Sequence, residues 1–225
     1  SMLEVEISGE VAVLHLDDGK ANVVSEAFSA AVNEGLDRAA KDAKAVILTG
    51  RPGRFSAGFD LNAVKAGGDA AKNMRDAGAR MMARLLVHPQ PLVIACTGHA
   101  LAAGALILCT GDTRIGIEGD FKIGLNETAI GLTLPPHMIA LAASRMPREL
   151  VTQNIIQAKV HDPVGAVAAG YLDEVVAPGE LMDTALARAA NLAVFETRRW
   201  DWGIDRAAIC LEQRAFGFAA DLVRR

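Results

Sequence analysis

The sequence predicts an α/β fold, and three observations carry that prediction. Short apolar runs at 45–48 and 92–96 have the length of buried strands. Each follows a segment whose apolar residues recur at helical spacing, and the chain turns wholly helical in pattern from Glu180 onward. With 225 residues, of which 51% are hydrophobic and 22% charged, there is enough apolar matter for one generous core, and no internal repeat or low-complexity linker marks a second one. A single domain over 1–225 is expected, with an α/β core to about 178 and a helical region over about 179–225.

Residues 3–7 and 11–16 alternate apolar and polar side chains around Ser8, Gly9 and Glu10, which reads as an antiparallel hairpin. A turn over 17–22 leads to Ser25, placed to cap a helix in which Phe28, Val32 and Leu36 fall on one face. The strand at 45–48 follows, and 50–55 leaves its end as a loop of the kind that carries function. Residues 62–68 are a weakly patterned connection. Residues 70–87 are a helix with Met74, Met81, Met82, Leu85 and Leu86 as its apolar surface, stopping before Pro89. The strand at 92–96 delivers the chain into Gly98, and 102–108 is a core helix. Residues 113–117 and 121–123 flank Glu118, Gly119 and Asp120, a second hairpin signal. Pro135 and Pro136 open a helix through Leu141, and Pro147 opens another through Ile155. Asp162, Pro163 and Gly170 supply the N-cap, first-turn proline and terminal glycine of a short helix, and 172–176 is extended. Helices over 180–192 and 204–223 complete the chain.

With 23 Lys and Arg against 27 Asp and Glu, the net charge of −4 gives no basic footprint, which argues against nucleic acid or an anionic membrane as partner. No apolar run approaches the roughly 20 residues of a membrane helix. The expectation is a cytoplasmic protein. Cys96, Cys109 and Cys210 are odd in number and widely spaced, which suits buried thiols rather than bridges or a metal site. No phosphate-binding loop, serine-hydrolase elbow or zinc-binding pattern occurs.

What remains is chemistry done by backbone. From Gly98 to Ala105 no side chain is a nucleophile, and small residues at almost every step open the main chain to a ligand. Free N–H groups at the first turn of a helix can hold an anion, including one that exists only in a transition state. A second segment, Arg54-Phe-Ser-Ala-Gly-Phe-Asp-Leu61, again combines small residues with a helix-opening signature. Glu127, within Ile-Gly-Leu-Asn-Glu-Thr128, is the candidate base. Burial there would raise its pKa and a helix N-terminus would lower it, and a surface cap is the plainer reading of a glutamate beside Asn and Thr.

These three ordered motifs, Phe55 to Leu61, Gly98 to Gly104 and Gly124 to Gly131, resemble the crotonase superfamily, the enoyl-CoA hydratases and isomerases. The resemblance runs from about residue 11 to about 178. It implies a spiral of ββα units with a C-terminal helical region, assembled as a homotrimer or a pair of trimers. It implies an acyl-CoA or enoyl-CoA thioester as substrate, and no metal or cofactor beyond the CoA that the substrate carries. It places the enolate-holding donors at the N–H groups of Ala57 and Ala103, with Glu127 as base. Phe55, Ser56, Gly58, Phe59, Asp60, Leu61, Gly104, Leu106 and Gly131 are the implied substrate-binding positions. Asp60 fits equally well as a helix N-cap.

The family's hydratases carry a second glutamate three residues after the Ala103 position, where this chain has Leu106. Water addition wants two acid–base partners, whereas one carboxylate suffices to take a proton from C2 of a 3-enoyl-CoA and return it at C4. Leu106 together with the wording around Glu127 looks like the mitochondrial-type Δ3,Δ2-enoyl-CoA isomerases. The implied activity is therefore a double-bond shift, with hydration next, then thioester hydrolysis, then acyl-CoA binding without turnover. Arg51, Arg54 and Lys65 are candidates for the CoA phosphates, though each also reads as a solvated surface charge. His99 and His137 match no catalytic position and read as packing, as do Trp200 and Trp202.

Overall fold

The computed structural model describes residues 2–194. Strands β1 (Leu3–Ser8) and β2 (Val11–Leu16) form the expected antiparallel hairpin, closed at Ser8 opposite Val11. A short strand β3 (Val23–Val24) precedes α1 (Glu26–Asp42), where the Ser25 hydroxyl accepts from Phe28 N–H at 3.0 Å. Phe28, Val32 and Leu36 are fully buried, so the amphipathic spacing reports the inward face correctly.

Strand β4 (Ala45–Thr49) is buried along its whole length. The segment read as a loop after it contains β5 (Gly53–Ser56), followed by β6 (Gly58–Phe59). Residues read as an unpatterned connection form α2 (Leu61–Ala66) ahead of the long α3 (Gly68–Val87). A four-residue apolar signal was too short to declare a helix, yet the Asp60 carboxylate accepts from Asn62 N–H at 2.8 Å and starts it. Then come β7 (Leu92–Ala95), β8 (Gly98–Leu101), α4 (Ala103–Leu108), β9 (Thr113–Ile117) and β10 (Ile123–Gly124).

The second hairpin expected from the sequence does not form. Strand β9 pairs in parallel with β7, while β10 leaves that sheet and pairs in parallel with β8. Gly119, at φ +144°, turns the chain between two sheets rather than back on itself. Beyond Glu127 lie a 3₁₀ turn (Thr128–Ile130), α5 (Pro136–Ala143), a 3₁₀ turn (Arg148–Leu150) and a π-helical turn (Thr152–Ile156). The proline at 147 therefore opens two short irregular turns, not one regular helix. Helix α6 (Pro163–Ala169), strand β11 (Glu174–Val176) and α7 (Leu181–Ala193) finish the described chain. The helix expected over 204–223, Cys210 and both tryptophans lie outside the described residues.

Six strands make one large sheet in the order β1-β2-β4-β7-β9-β11, parallel apart from the first pair. Helices cover both faces, as a mostly parallel sheet requires. Leu14, Val46, Leu48 and Ile94 share a core with α1, α3 and α4, while Val13, Ile47, Val93 and Ile115 pack beneath Leu181, Ala185 and Ala189 of α7. The start of the C-terminal helical region is thus part of the sheet's packing. A smaller sheet, β10-β8-β5, and the β3-β6 pair stand beside the large one. These short strands carry all three motifs. Among the described residues no helix is long and apolar enough to cross a membrane, and Cys96 and Cys109 are buried free thiols.

Candidate active site

Two glycines explain how the first two motifs meet. A Cβ on Gly104 would lie 2.3 Å from the carbonyl oxygen of Ser56, and one on Gly58 would lie 2.7 Å from Ala102 Cβ and 3.2 Å from Ala103 N. Only hydrogens fit there, so β5, β6 and the first turn of α4 approach at backbone contact distance. Ala103 opens α4, and the first intrahelical bonds run from Ala105 and Leu106 N–H to Ala102 O. Ala103 N–H is accordingly one of the donors that a helix leaves without an internal acceptor. Ala102 itself has φ 52° and ψ −125°, a conformation an alanine adopts only where its surroundings impose it.

The partner donor differs from the one the sequence implies. Ala57 N–H is donated to Ala21 O at 3.0 Å and is spent on holding β5 against the turn before β3. Three residues on, at the end of β6, Asp60 N–H goes to Val24 O, with Val24 opposite Phe59. Ala57 precedes the ladder; within it successive N–H groups point to opposite sides, so the N–H of Phe59, next to that of Asp60, faces away from β3, one peptide from the contact between Gly58 and Ala103. Ala57 N–H is spent within the fold, whereas that of Phe59 is turned away from β3.

Around this pair, Phe55 is fully buried in the core and Ser56 is buried with its hydroxyl donating to Asn22 O at 2.7 Å. The Phe59 ring packs on α3 at Gly78. Asp60 acts as the α2 cap, and Leu61 is exposed. Leu106 is fully buried among apolar neighbours. One organising residue escaped the sequence reading. Asn22 is buried at φ 51° and donates from its amide to Leu16 O at 2.9 Å and to Phe55 O at 3.1 Å, joining the large sheet to the end of β5. An asparagine ending a polar turn was its only visible signal.

Glu127 follows β10 and is the only carboxylate buried among the described residues. Its own carbonyl accepts from Ile130 N–H at 3.1 Å and Leu132 N–H at 2.9 Å, and Gly131 completes the turn in the left-handed region. Thr128 anchors this turn by donating its hydroxyl to Ile155 O at 3.1 Å. The carboxylate's Oε2 is buried with no hydrogen-bond partner among the described residues. Burial pushes its pKa up to about 7, and the N–H groups of Glu127 and Asn126 pull it back only in part. A carboxylate poised there can both take and return a proton near neutrality. Behind it, the buried Tyr171 phenol feels the Glu127 charge, and burial raises the phenol's pKa. His99 stacks edge-on against Phe121 at 5.3 Å, and His137 is half-buried on α5 with its pKa lowered by burial.

The sequence model of the enoyl-CoA hydratase/isomerase family matches residues 6–198. A putative enoyl-CoA hydratase of Thermus thermophilus is 30% identical over 206 residues, which are 85% of this chain and 78% of that one. An enoyl-CoA hydratase/isomerase family protein of a pseudomonad, Pseudomonas syringae, superposes with a TM-score of 0.85 at 38% identity, over 96% of this chain and 97% of its own. An enoyl-CoA isomerase of Mycobacterium tuberculosis superposes with a TM-score of 0.90 at 31% identity, over 98% of both chains. The layered sheets, the glycine-tight meeting of β5, β6 and α4, and these matches have one reading: the chain belongs to the enoyl-CoA hydratase/isomerase family, the crotonase superfamily of the sequence reading.

Proposed function

We propose that this protein is an isomerase that moves the double bond of a 3-enoyl-CoA to the 2 position. The observation that carries the reading is Glu127, the one buried carboxylate among the described residues, together with a fully buried Leu106 at the position where the family's hydratases carry their second glutamate. In the proposed reaction the thioester oxygen rests between the N–H groups of Ala103 and Phe59. Glu127 removes a proton from C2, the C2–H electron pair becomes the dienolate, and negative charge collects on the oxygen. Two backbone donors stabilise that charge without side-chain reorganisation, and loss of one such donor typically costs ~3 kcal/mol of barrier. Protonated Glu127 then returns the proton at C4, the double bond settles between C2 and C3, and the carboxylate is restored. The balance needs no metal, no redox cofactor and no water.

The names of relatives favour a second reading, hydration, since the T. thermophilus protein is called a putative hydratase and the M. tuberculosis protein carries both names. Hydration would require Glu127 alone to orient and deprotonate water and another group to protonate C2. Parallel assays with 3-enoyl-CoA, 2-enoyl-CoA and a saturated acyl-CoA separate the readings. Conversion of the 3-enoyl substrate alone is expected; water addition to 2-enoyl-CoA at comparable rate would replace isomerisation by hydration. Release of CoA from the saturated thioester would point to hydrolysis, and silence on all three with retained binding would point to a non-catalytic binder. Trimeric assembly belongs to the same proposal and is checked by light scattering.

A further inference from the structure

Among the buried polar atoms that have no hydrogen-bond partner within the described residues are Glu127 Oε2, Tyr171 Oη and Asn154 Nδ2. Their segments are tied to one another. Thr128, next to Glu127, donates its hydroxyl to Ile155 O, next to Asn154. Asn154 Oδ1 accepts from His161 Nε2 at 2.7 Å. The His161 backbone exchanges two hydrogen bonds with Ile123 of β10, at 2.8 and 2.9 Å, and its ring is tilted against that of Tyr171 with centroids 6.2 Å apart. Tyr171 follows the terminal glycine of α6 and is fully buried. Its phenol oxygen is acted on by the N–H of Leu125, two residues before Glu127, and by the Glu127 charge.

A buried hydroxyl without a partner is a standing cost that a phenylalanine in the same space would avoid. Here the phenol has a proton to give, and the carboxylate oxygen of Glu127 can only accept. The two oxygens lie beyond direct hydrogen-bond length of each other. One water between them satisfies both.

We propose that Tyr171 is the positioning residue of the Glu127 base, donating its phenol O–H to one ordered water that in turn donates to Glu127 Oε2. The proposal rests on the reading of Glu127 as the base and adds what holds it. With Oε2 tethered on the core side, the carboxylate keeps one orientation, and its other oxygen takes the proton from C2 and returns it at C4. The tether favours the charged form against the burial that disfavours it, and so limits how far the base is raised.

The neighbouring groups leave the pH signal to Glu127. The Cys109 thiol also acts on the phenol, and burial pushes it up to about 11 against the pull of Arg114 and Arg145. Burial and the Lys159 charge hold the His161 ring below its ordinary 6.5, against an opposing pull from Asp162. On its own turn the carboxylate meets the N–H groups of Glu127 and Asn126, which do not titrate. Between about pH 7 and 9 the group whose charge changes here is Glu127.

Tyr171→Phe keeps the ring and removes the O–H, so the core stays filled. The test follows kcat/KM for a 3-enoyl-CoA, and melting temperature, across pH in the wild type, Tyr171→Phe, Glu127→Gln and the double variant. In Tyr171→Phe the kcat/KM midpoint is expected to rise by about 1 pH unit, which lowers kcat/KM at pH 6 by about 10-fold and leaves it within a few-fold above both midpoints. A carboxyl whose folded pKa is raised further loses more stability as pH rises through the two midpoints. Tyr171→Phe should therefore melt below the wild type by a margin that widens from pH 5 to pH 9. On the Glu127→Gln background the margin should not vary with pH, whereas a contribution from His161 would persist there. Equal kcat/KM midpoints, a melting difference constant with pH, or a pH-dependent difference that survives in Glu127→Gln would overturn the proposal and leave the phenol an unpaired core group. The melting measurement needs no substrate. A wild type that converts no 3-enoyl-CoA yet shows the widening margin sinks the isomerase reading while supporting the link from Tyr171 to Glu127.

Discussion

The large sheet and the small one are built on opposite principles. The large sheet is a ladder of Val, Ile, Leu and Ala, buried on both faces and regular in register from β2 to β9. The small sheet is short and irregular, broken by a register shift between Arg54 and Ser56, and joined to α4 through glycines and a strained alanine. Asn22, Ser56 and Glu127 are buried polar residues near the small sheet, while the large sheet buries Thr49 and Arg114, each with hydrogen-bond partners. The difference teaches where each kind of substitution hurts. Aliphatic volume in the large sheet sets stability, and backbone proximity in the small one sets chemistry.

Glu127→Gln is the sharpest test of that division. A positioned general base contributes about 10²- to 10⁴-fold, so kcat for the 3-enoyl substrate should fall by that factor. Stability should move the other way. Burial pushes the folded carboxyl's pKa up to about 7, from an ordinary value of 4.5. A raised folded-state pKa gives a contribution that is complete below pH 4.5 and is lost as pH rises through about 7. At 1.36 kcal/mol per pKa unit, the native state at pH 8 carries a deficit of about 3 kcal/mol that an amide avoids. The variant should therefore melt several degrees above the wild type at pH 8, with the advantage shrinking toward pH 4. A lower melting temperature at pH 8 would mean that the carboxylate is stabilised where it lies. In the wild type, kcat/KM should rise with pH through a midpoint about 7.

Gly104→Ala should come next. Its Cβ would press to 2.3 Å on the Ser56 carbonyl, a backbone atom that cannot rotate away, so β5 and α4 must separate. A displacement of about 1 Å in the donors costs on the order of 10² in rate. The counterpart in the large sheet, Ile47→Val beneath α7, should lose roughly 0.5–1.5 kcal/mol of stability and leave kcat unchanged. Equal kinetic effects from the two variants would erase the distinction between the sheets.

The same division marks what the sequence could disclose. Helix faces and large-sheet strands were legible because period 3.6 and short apolar runs survive in any core, as Phe28, Val32 and Leu36 show. The small sheet was not, because strands of two to four residues are too short for a period to register. This is why β10 was read into a hairpin with β9. The motifs holding Ala103 and Glu127 were legible through resemblance, while the N–H turned away from β3 is that of Phe59, two residues beyond the Ala57 position that the resemblance implies. No pattern of residue types reveals that Ala57 N–H already belongs to Ala21 O. Nor could the sequence decide between burial and helix-terminus effects at Glu127, since a 3₁₀ turn three residues long has little dipole and the surrounding apolar wall prevails.

The smallest expected effect is the most informative about why the site is strained. Ala102 holds φ 52° and ψ −125° at the entrance to α4, with its N–H donated to Gly124 O and its carbonyl receiving Ala105 and Leu106. Strain of this kind costs of order 1–3 kcal/mol, and glycine would relieve it at the expense of roughly 0.4–1 kcal/mol of extra unfolded-state entropy. Ala102→Gly should thus stabilise the fold by about 1 kcal/mol, a rise of roughly 2–4 °C in melting temperature for a chain of this size. The methyl also touches the space a Gly58 Cβ would fill, at 2.7 Å, so its removal loosens the contact that sets the distance between Phe59 and Ala103. A more stable enzyme with a lower kcat would show that the alanine is kept to clamp the two donors together. A more stable enzyme with unchanged kcat would assign that clamp to the glycine contacts alone.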